Sequence, residues 1–162
     1  MTFQQAVESI PQLKGQWQKG LGALRAEDKP HVKPDDPRRL RGSVDVDMAH
    51  QKVKEHAQAN RWDFAIGFQH TNRKKEFIYW LEIHTGSDSE ISVVLRKLAW
   101  LKGWLKNGGQ ALAGFDCQFV WVPSGATNFT KRARQVKALA DIGLHYAGSG
   151  FKIPSAHPRP ER

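Results

Sequence analysis

Two neighbouring segments rich in β-branched and aromatic residues, followed by a long amphipathic helix, constrain the fold most. Residues 62–68 (WDFAIGF) alternate, with the even positions on one face, and residues 76–85 (EFIYWLEIHT) are dense in strand formers. The polar, basic residues 69–75 join them, so the two segments predict a β-hairpin. Residues 88–106 then repeat apolar side chains at helical spacing and end at a Gly-Gly pair, which predicts a helix packed on the hairpin.

The chain divides by composition into three parts. Residues 1–41 hold a broken helical pattern and then a run with three prolines and almost no apolar side chains, which predicts an N-terminal helical extension and an exposed linker that reaches residue 42. Residues 42–153 form the predicted α/β core. Residues 154–162, with three prolines and no apolar run, predict a disordered tail. A total of 162 residues suits one domain with an appendage.

Further elements flank the hairpin in the predicted core. A helix is expected over 48–60 with Asp47 as its N-cap. Ser87 and Glu90 have the spacing of a capping box at the start of the long helix. Beyond that helix we predict a strand over 115–122, a basic helix over 129–141 capped by Asn128, and short strands over 143–146 and 151–153. This order predicts an α/β fold in which helices flank a mixed central sheet.

Composition limits the class of partner and the cellular compartment that we expect for the protein. The chain carries 25 Lys and Arg against 16 Asp and Glu, a formal net charge of +9, which favours a polyanionic partner such as nucleic acid. Its apolar runs are too short for a membrane-spanning helix, and its first residues do not resemble a secretory signal. The single cysteine, Cys117, has no partner for an intramolecular disulfide. We therefore expect a cytoplasmic protein without membrane association.

Three polar side chains interrupt the apolar hairpin. Asp63 stands at the start of the first strand, and Glu82 and His84 share one face of the second. Pairing of the two strands brings Asp63 and Glu82 within reach of one ion. A buried Glu82 also needs a compensating partner, which a metal ion, Arg96 or Lys97 can provide.

This arrangement resembles the PD-(D/E)XK nuclease superfamily, especially its archaeal Holliday-junction resolvases, over roughly residues 48–107. Members of that family place an aspartate at the start of one strand and Glu-x-Lys on the next, hold one or two Mg²⁺ ions there, and continue into a helix. By this resemblance Asp63 and Glu82 match the acidic residues. His84 stands in place of the lysine, and Lys97 is a candidate for a lysine moved onto the helix. The resemblance implies a restriction-endonuclease-like core, Mg²⁺ or Mn²⁺ bound by Asp63 and Glu82, and catalysis by these residues with His84 and Lys97.

The start of the predicted helix over 129–141 is a candidate phosphate-binding region. Its cations are Lys131, Arg132, Arg134 and Lys137. They follow a run of hydroxyl and amide side chains, and a helix N-terminus attracts phosphate. The four cations do not all share one helical face, so part of this charge is a solvated surface. The tryptophans of the long helix, Trp100 and Trp104, fit core packing, with base stacking as the alternative.

Three interpretations of the sequence remain open. The first is a metal-dependent nuclease that acts on DNA or RNA. The second is a catalytically inactive nucleic-acid-binding module in which Glu82 is merely ion-paired. The third is a protein-interaction subunit, for instance of a bacterial defence or toxin system, whose basic surface meets an acidic protein. Walker, dinucleotide-binding, serine-hydrolase and His-Glu-x-x-His motifs are absent from the sequence.

Overall fold

A five-stranded mixed sheet lies at the centre of the computed structural model, which describes residues 1–128, 132–148 and 150–158. A two-stranded parallel sheet of β1 (Val32–Pro34) and β7 (Phe151–Ile153) accompanies it. The strands of the central sheet, in spatial order, are β2 (Leu40–Asp45), β3 (Phe64–Phe68), β4 (Phe77–Ser87), β5 (Cys117–Asn128) and β6 (Leu144–Tyr146). The pairs β2–β3 and β3–β4 are antiparallel, and β4–β5 and β5–β6 are parallel.

Helices flank this sheet and make its parallel pairings possible. They are α1 (Phe3–Ser9), α2 (Val46–His50), α3 (Ile91–Asn107), α4 (Gln110–Ala113) and α5 (Arg132–Asp141). Parallel neighbours need a crossover connection, and α3 and α5 lie within the connections between β4 and β5 and between β5 and β6. The predicted α/β fold with a mixed sheet flanked by helices is therefore confirmed. Within the described ranges, no helix is both long and apolar enough to cross a bilayer.

The two faces of the β3–β4 hairpin contribute to two different apolar layers. Phe64 and Tyr79 pack in one layer, and Ala65 and Trp80 pack in the other together with α3. The predicted alternation is therefore confirmed within both strands. Trp62, which precedes β3, departs from it, because its ring packs in the layer of Ala65 rather than that of Phe64.

The N-terminal segment packs directly on the central sheet. Phe3 of α1 is fully buried, and a Cβ on Gly67 of β3 would stand 2.5 Å from its ring, so the glycine permits this close approach. The predicted linker is not exposed throughout, because Val32 is buried and pairs with Phe151 of β7. Strand β2, which begins at Leu40, was not predicted. Its sequence, LRGSVD, sets Arg41, Gly42 and Ser43 before a single fully buried valine, Val44, and so gives no clear alternation.

The helix predicted over 48–60 is much shorter in the structure. Helix α2 ends at His50, and turns follow it. Its N-cap is Asp45 rather than Asp47, because Asp45 Oδ1 accepts the Met48 N–H at 2.8 Å. The sequence after His50 has too few apolar side chains to bury one helical face, so tertiary packing does not extend the helix.

Two other predicted helix caps are wrong. Ser87 lies in β4 and its hydroxyl contacts Ser89 Oγ at 3.1 Å, while a 3₁₀ turn over Asp88–Glu90 precedes α3 without a side-chain cap. Strand β5 continues past the predicted end at 122 to Asn128, so Asn128 is a strand residue. Residues 129–131, where the basic helix was expected to begin, lie outside the described residues.

The first part of the predicted disordered tail contacts the hairpin loop. Ser155 accepts the Thr71 N–H on its carbonyl at 2.8 Å. His157 exchanges two hydrogen bonds with Asn72, at 2.8 and 2.9 Å, and its ring centroid lies 5.0 Å from that of Phe77. Residues 154–158 are therefore held by backbone and side-chain contacts, and residues 159–162 lie outside the described residues.

Candidate active site

Pairing of β3 with β4 brings the two predicted acidic residues side by side. Phe64 pairs with Leu81, which places the preceding Asp63 beside Glu82. The Asp63 N–H donates to Glu82 Oε2 at 3.1 Å, and the Ile83 N–H donates to Asp63 Oδ2 at 3.1 Å. Each carboxyl group is therefore anchored to the backbone of the other strand. Glu82 is fully buried and Asp63 is 6% exposed.

Lys97 of α3 supplies the nearest cation to both carboxyl groups. Its Nζ donates to Glu82 Oε1 in a short contact and lies 3.9 Å from Asp63 Oδ1. The alternative partner suggested by the sequence, Arg96, is exposed. We refer to Asp63, Glu82 and Lys97 as the acidic cluster.

His84 and Glu90 form the half-exposed side of the acidic cluster. His84 Nδ1 lies 3.9 Å from Glu82 Oε1, and His84 Nε2 contacts Glu90 Oε2 at 2.8 Å. Their side chains are 26% and 32% exposed, so the cluster approaches solvent on this side. From its spacing, Glu90 was predicted to take a different role, as the third position of a capping box. Its real position depends on the 3₁₀ turn that precedes α3.

Burial shifts the proton affinities of the whole cluster. Burial raises the pKa of Asp63 to about 6, although Lys97 opposes this shift. Burial and the charge of Asp63 raise the pKa of Glu82 well above its ordinary value. Burial lowers the pKa of Lys97, but the charges of Glu82 and Asp63 outweigh it and the net shift is upward. One ammonium does not neutralise two carboxylates, so the cluster favours an additional proton or cation.

A set of contacts on the far side of Asp63 fixes its backbone. The N–H groups of Val46 and Asp47 both point at the Asp63 carbonyl oxygen, at 2.8 and 3.3 Å. Asp47 is ion-paired with Arg61 at 2.8 Å and with Arg25 at 3.6 Å. Asp47 therefore supports the backbone geometry of the site while its own carboxylate is neutralised by arginine.

The donor set suits a hard divalent cation that keeps part of its water shell. Mg²⁺ is commonly bound by one or two carboxylates together with water and substrate phosphates, and Asp63 and Glu82 supply two adjacent carboxylates. Among the described residues, no group of three or more His, Cys, Asp or Glu side chains is placed to hold a metal ion. With two carboxylates, the residues fit an ion whose other ligands are water or phosphate oxygens.

The predicted cations of the basic helix are only partly described. Arg134 and Lys137 of α5 are exposed. Arg132 begins the helix, and Lys131 lies outside the described residues. The exposed pair is accessible to a polyanion.

Known proteins provide no external reference for this cluster. Comparison of the chain with protein-family models, with curated proteins and with solved structures gave no match. Its function must therefore be inferred from the chemistry of the cluster itself.

Proposed function

We propose that the protein hydrolyses phosphodiester bonds of nucleic acid at the acidic cluster, with Mg²⁺ or Mn²⁺ as cofactor. The observation that carries this proposal is the complete burial of Glu82 next to a second carboxyl group, with a single ammonium between them. A buried ionic cluster is often no more stable than apolar residues of the same volume. Selection for a chemical role, rather than for stability, explains why three ionisable groups occupy this position.

The placement of the cluster supports the PD-(D/E)XK resemblance. Asp63 directly precedes β3, Glu82 lies on the neighbouring β4, and α3 follows, which is the order that the resemblance implies. Mixed strand pairing with flanking helices supports a restriction-endonuclease-like core. Lys97 brings an ammonium to Glu82 from α3, and His84 occupies the position of the family's lysine two residues after Glu82.

Each residue has a distinct role in this proposal. Asp63 and Glu82 hold the divalent cation, which when bound supplies positive charge to the phosphate and makes water a stronger nucleophile at neutral pH. Lys97 stabilises negative charge that develops on the phosphate oxygens. His84, held by Glu90, lines the solvent side and contacts the entering substrate or water. The exposed Arg134 and Lys137 attract the polyanion.

Cleavage assays with a matched carboxylate control test the proposal. The parent protein, Glu82→Gln and Glu76→Gln are incubated with single-stranded DNA, duplex DNA and RNA in Mg²⁺, Mn²⁺ or EDTA. Glu76 is a half-buried glutamate just before β4, at the other end of the hairpin. We expect metal-dependent cleavage by the parent and by Glu76→Gln, and none by Glu82→Gln. Equal cleavage by all three proteins, or none by the parent, contradicts the proposal.

A catalytically inactive nucleic-acid-binding module is the second candidate. Its supporting observation is that three of the four carboxyl oxygens of the cluster already accept a hydrogen bond, two from backbone N–H groups and one from Lys97. In this alternative the hydrogen bonds close the cluster, and it binds no divalent cation. Salt-dependent binding of nucleic acid without any thermal shift on addition of Mn²⁺ would select this function.

A further inference from the structure

A groove of about 410 Å³ lies between α3, the residues that follow α1 and the turns that follow α2. Trp100 and Trp104 form its aromatic wall, with rings inclined by 3° and centroids 6.1 Å apart. Trp100 is only half-buried, and its Nε1–H donates to His56 Nδ1 at 3.1 Å. The groove therefore offers an accessible, fixed aromatic surface.

Two buried polar atoms of the lining residues have no hydrogen-bond partner among the described residues. They are the Nε1–H of Trp104, whose side chain is 3% exposed, and Oε1 of Gln12. A Cβ placed on Gly108, which also lines the groove, would lie 3.0 Å from Trp104 Nε1. The unpaired Nε1–H of Trp104 therefore lies next to Gly108, on the wall of the groove. Buried donors and acceptors are paired in most native proteins, so the groove suits a ligand that carries both an acceptor and a donor.

The position of the groove relates it to the acidic cluster. Trp100 follows Lys97 by three residues on α3, so both side chains lie on one face of the helix, with a rise of about 4.5 Å between them. Glu55, exposed at the rim, disfavours a phosphate in the groove itself and accepts from an amino group. A phosphate at the cluster would thus place an adjoining base, rather than another phosphate, beside the tryptophans.

From these observations we infer that the groove binds one unpaired nucleobase of single-stranded or locally opened nucleic acid. The face of the base stacks on Trp100, and its Watson–Crick edge offers an acceptor to Trp104 Nε1–H and a donor to Gln12 Oε1. That edge carries both kinds of group and is free only when the base is unpaired. The inference rests on the proposed function in taking nucleic acid as the ligand, but it does not require cleavage.

The direct test follows the indole N–H signals of ¹⁵N-labelled protein in EDTA, where metal-dependent cleavage is suppressed. The probes are a short single-stranded oligodeoxyadenylate and an abasic oligomer of the same length and charge. Trp100→Phe and Trp104→Phe assign the two signals. We expect the Trp104 indole signal to shift with the oligodeoxyadenylate and to stay in place with the abasic oligomer. An unmoved Trp104 signal, or equal shifts with both oligomers, overturns the inference.

Affinities measured by fluorescence anisotropy at low salt give a second readout. Trp100→Ala removes the stacking surface and should weaken binding of the oligodeoxyadenylate by about 5- to 150-fold, the range of one stacked base. Trp100→Phe should retain most of the affinity. Phe115→Ala, a half-buried aromatic lining a different groove, should leave it unchanged. Equal affinities of Trp100→Ala and Phe115→Ala, or no binding by the parent, contradict the inference.

The outcome is distinguishable from that of the proposed function. A shift of the Trp104 signal without cleavage of any substrate in Mg²⁺ or Mn²⁺ would support the base site and contradict the nuclease activity. Cleavage without a Trp104 shift would support the nuclease activity and contradict the base site. If Trp100→Ala does not fold, the indole titration and Trp100→Phe still decide the question.

Discussion

The β3–β4 hairpin buries polar groups at both of its ends. One end compensates the burial with ionic contacts, and the other with a hydrogen bond between neutral groups. At one end lies the acidic cluster of Asp63, Glu82 and Lys97. At the other, His70 is 1% exposed and its Nε2 lies 2.6 Å from the hydroxyl of Tyr79. Burial lowers the pKa of His70 to about 4 and raises that of Tyr79, so this second pair is neutral at physiological pH.

The difference shows which buried polar group is explained by folding alone. A neutral histidine and tyrosine share one hydrogen bond and pack among rings, with the Phe77 and His157 centroids each 5.1 Å from that of His70. His70 Nδ1 is buried without a hydrogen-bond partner among the described residues, a cost that a neutral ring tolerates better than a charged one. The acidic cluster instead places two carboxyl groups beside one ammonium, and it reaches the half-exposed His84 and Glu90. The neutral pair avoids buried charge, whereas the cluster keeps three ionisable groups together next to a half-exposed surface.

Removing the Lys97 ammonium should lower the free energy of unfolding more than any other change considered at either end of the hairpin. Lys97→Met leaves two buried carboxyl groups without their cation, and breaking a buried ionic contact in this way costs about 3–5 kcal/mol. Because the pKa values of Asp63 and Glu82 are already raised, both groups take up protons at low pH and the cost should shrink. Urea unfolding at pH 8 and pH 5 measures this difference. A loss that is equal at the two pH values contradicts the charge assignment.

The neutral end should respond to pH in the opposite direction. The folded-state pKa of His70 is depressed to about 4, so its contribution to stability is present above the unfolded value near 6.5 and is lost as pH falls toward 4. Between pH 7 and pH 5 this loss is about 2 kcal/mol. His70→Gln should flatten the dependence of the unfolding free energy on pH in that interval. An unchanged slope would show that His70 is not buried in its neutral form.

Asp63→Asn should change the free energy of unfolding by less than Lys97→Met does, and in the opposite direction. The folded-state pKa of Asp63 is raised to about 6, so its stabilising contribution is present below the unfolded value near 3.9 and is lost as pH rises through 6. Asparagine keeps an acceptor for the Ile83 N–H. We expect the variant to be about 1 kcal/mol more stable than the parent at pH 8 and to match it at pH 5. Destabilisation at pH 8 would show that the Asp63 charge is fully compensated.

The sequence predicted the hairpin and the meeting of Asp63 with Glu82 because both follow from period-two alternation. Phe64 and Tyr79 mark one face of the hairpin, and alternation then places Asp63 and Glu82 together on the opposite face. Glu90 was missed as a neighbour of His84, since its spacing from Ser87 matched a capping box. No local pattern distinguishes a capping box from a 3₁₀ turn that carries its glutamate toward a strand.

Long-range contacts account for most of the remaining differences. Phe3 is buried against Gly67, more than sixty positions away, and the segment around Phe3 shows only a broken helical pattern. Val32 pairs with Phe151, more than a hundred positions away. Such pairings depend on tertiary packing and leave weak local signals. The tryptophans of α3 fit core packing in the sequence, and only the structure shows that Trp100 lines an open groove.

Binding of Mn²⁺ to the metal-free protein tests most directly the claim that the acidic cluster is a cation site. Isothermal calorimetry is performed on the parent, on Glu82→Gln and on His70→Gln, which alters the neutral end of the same hairpin. We predict saturable binding to the parent and to His70→Gln, and its loss in Glu82→Gln. The same titration followed by thermal unfolding should show stabilisation only in the proteins that bind. Binding that persists in Glu82→Gln, or is missing from the parent, would contradict the assignment of the cluster.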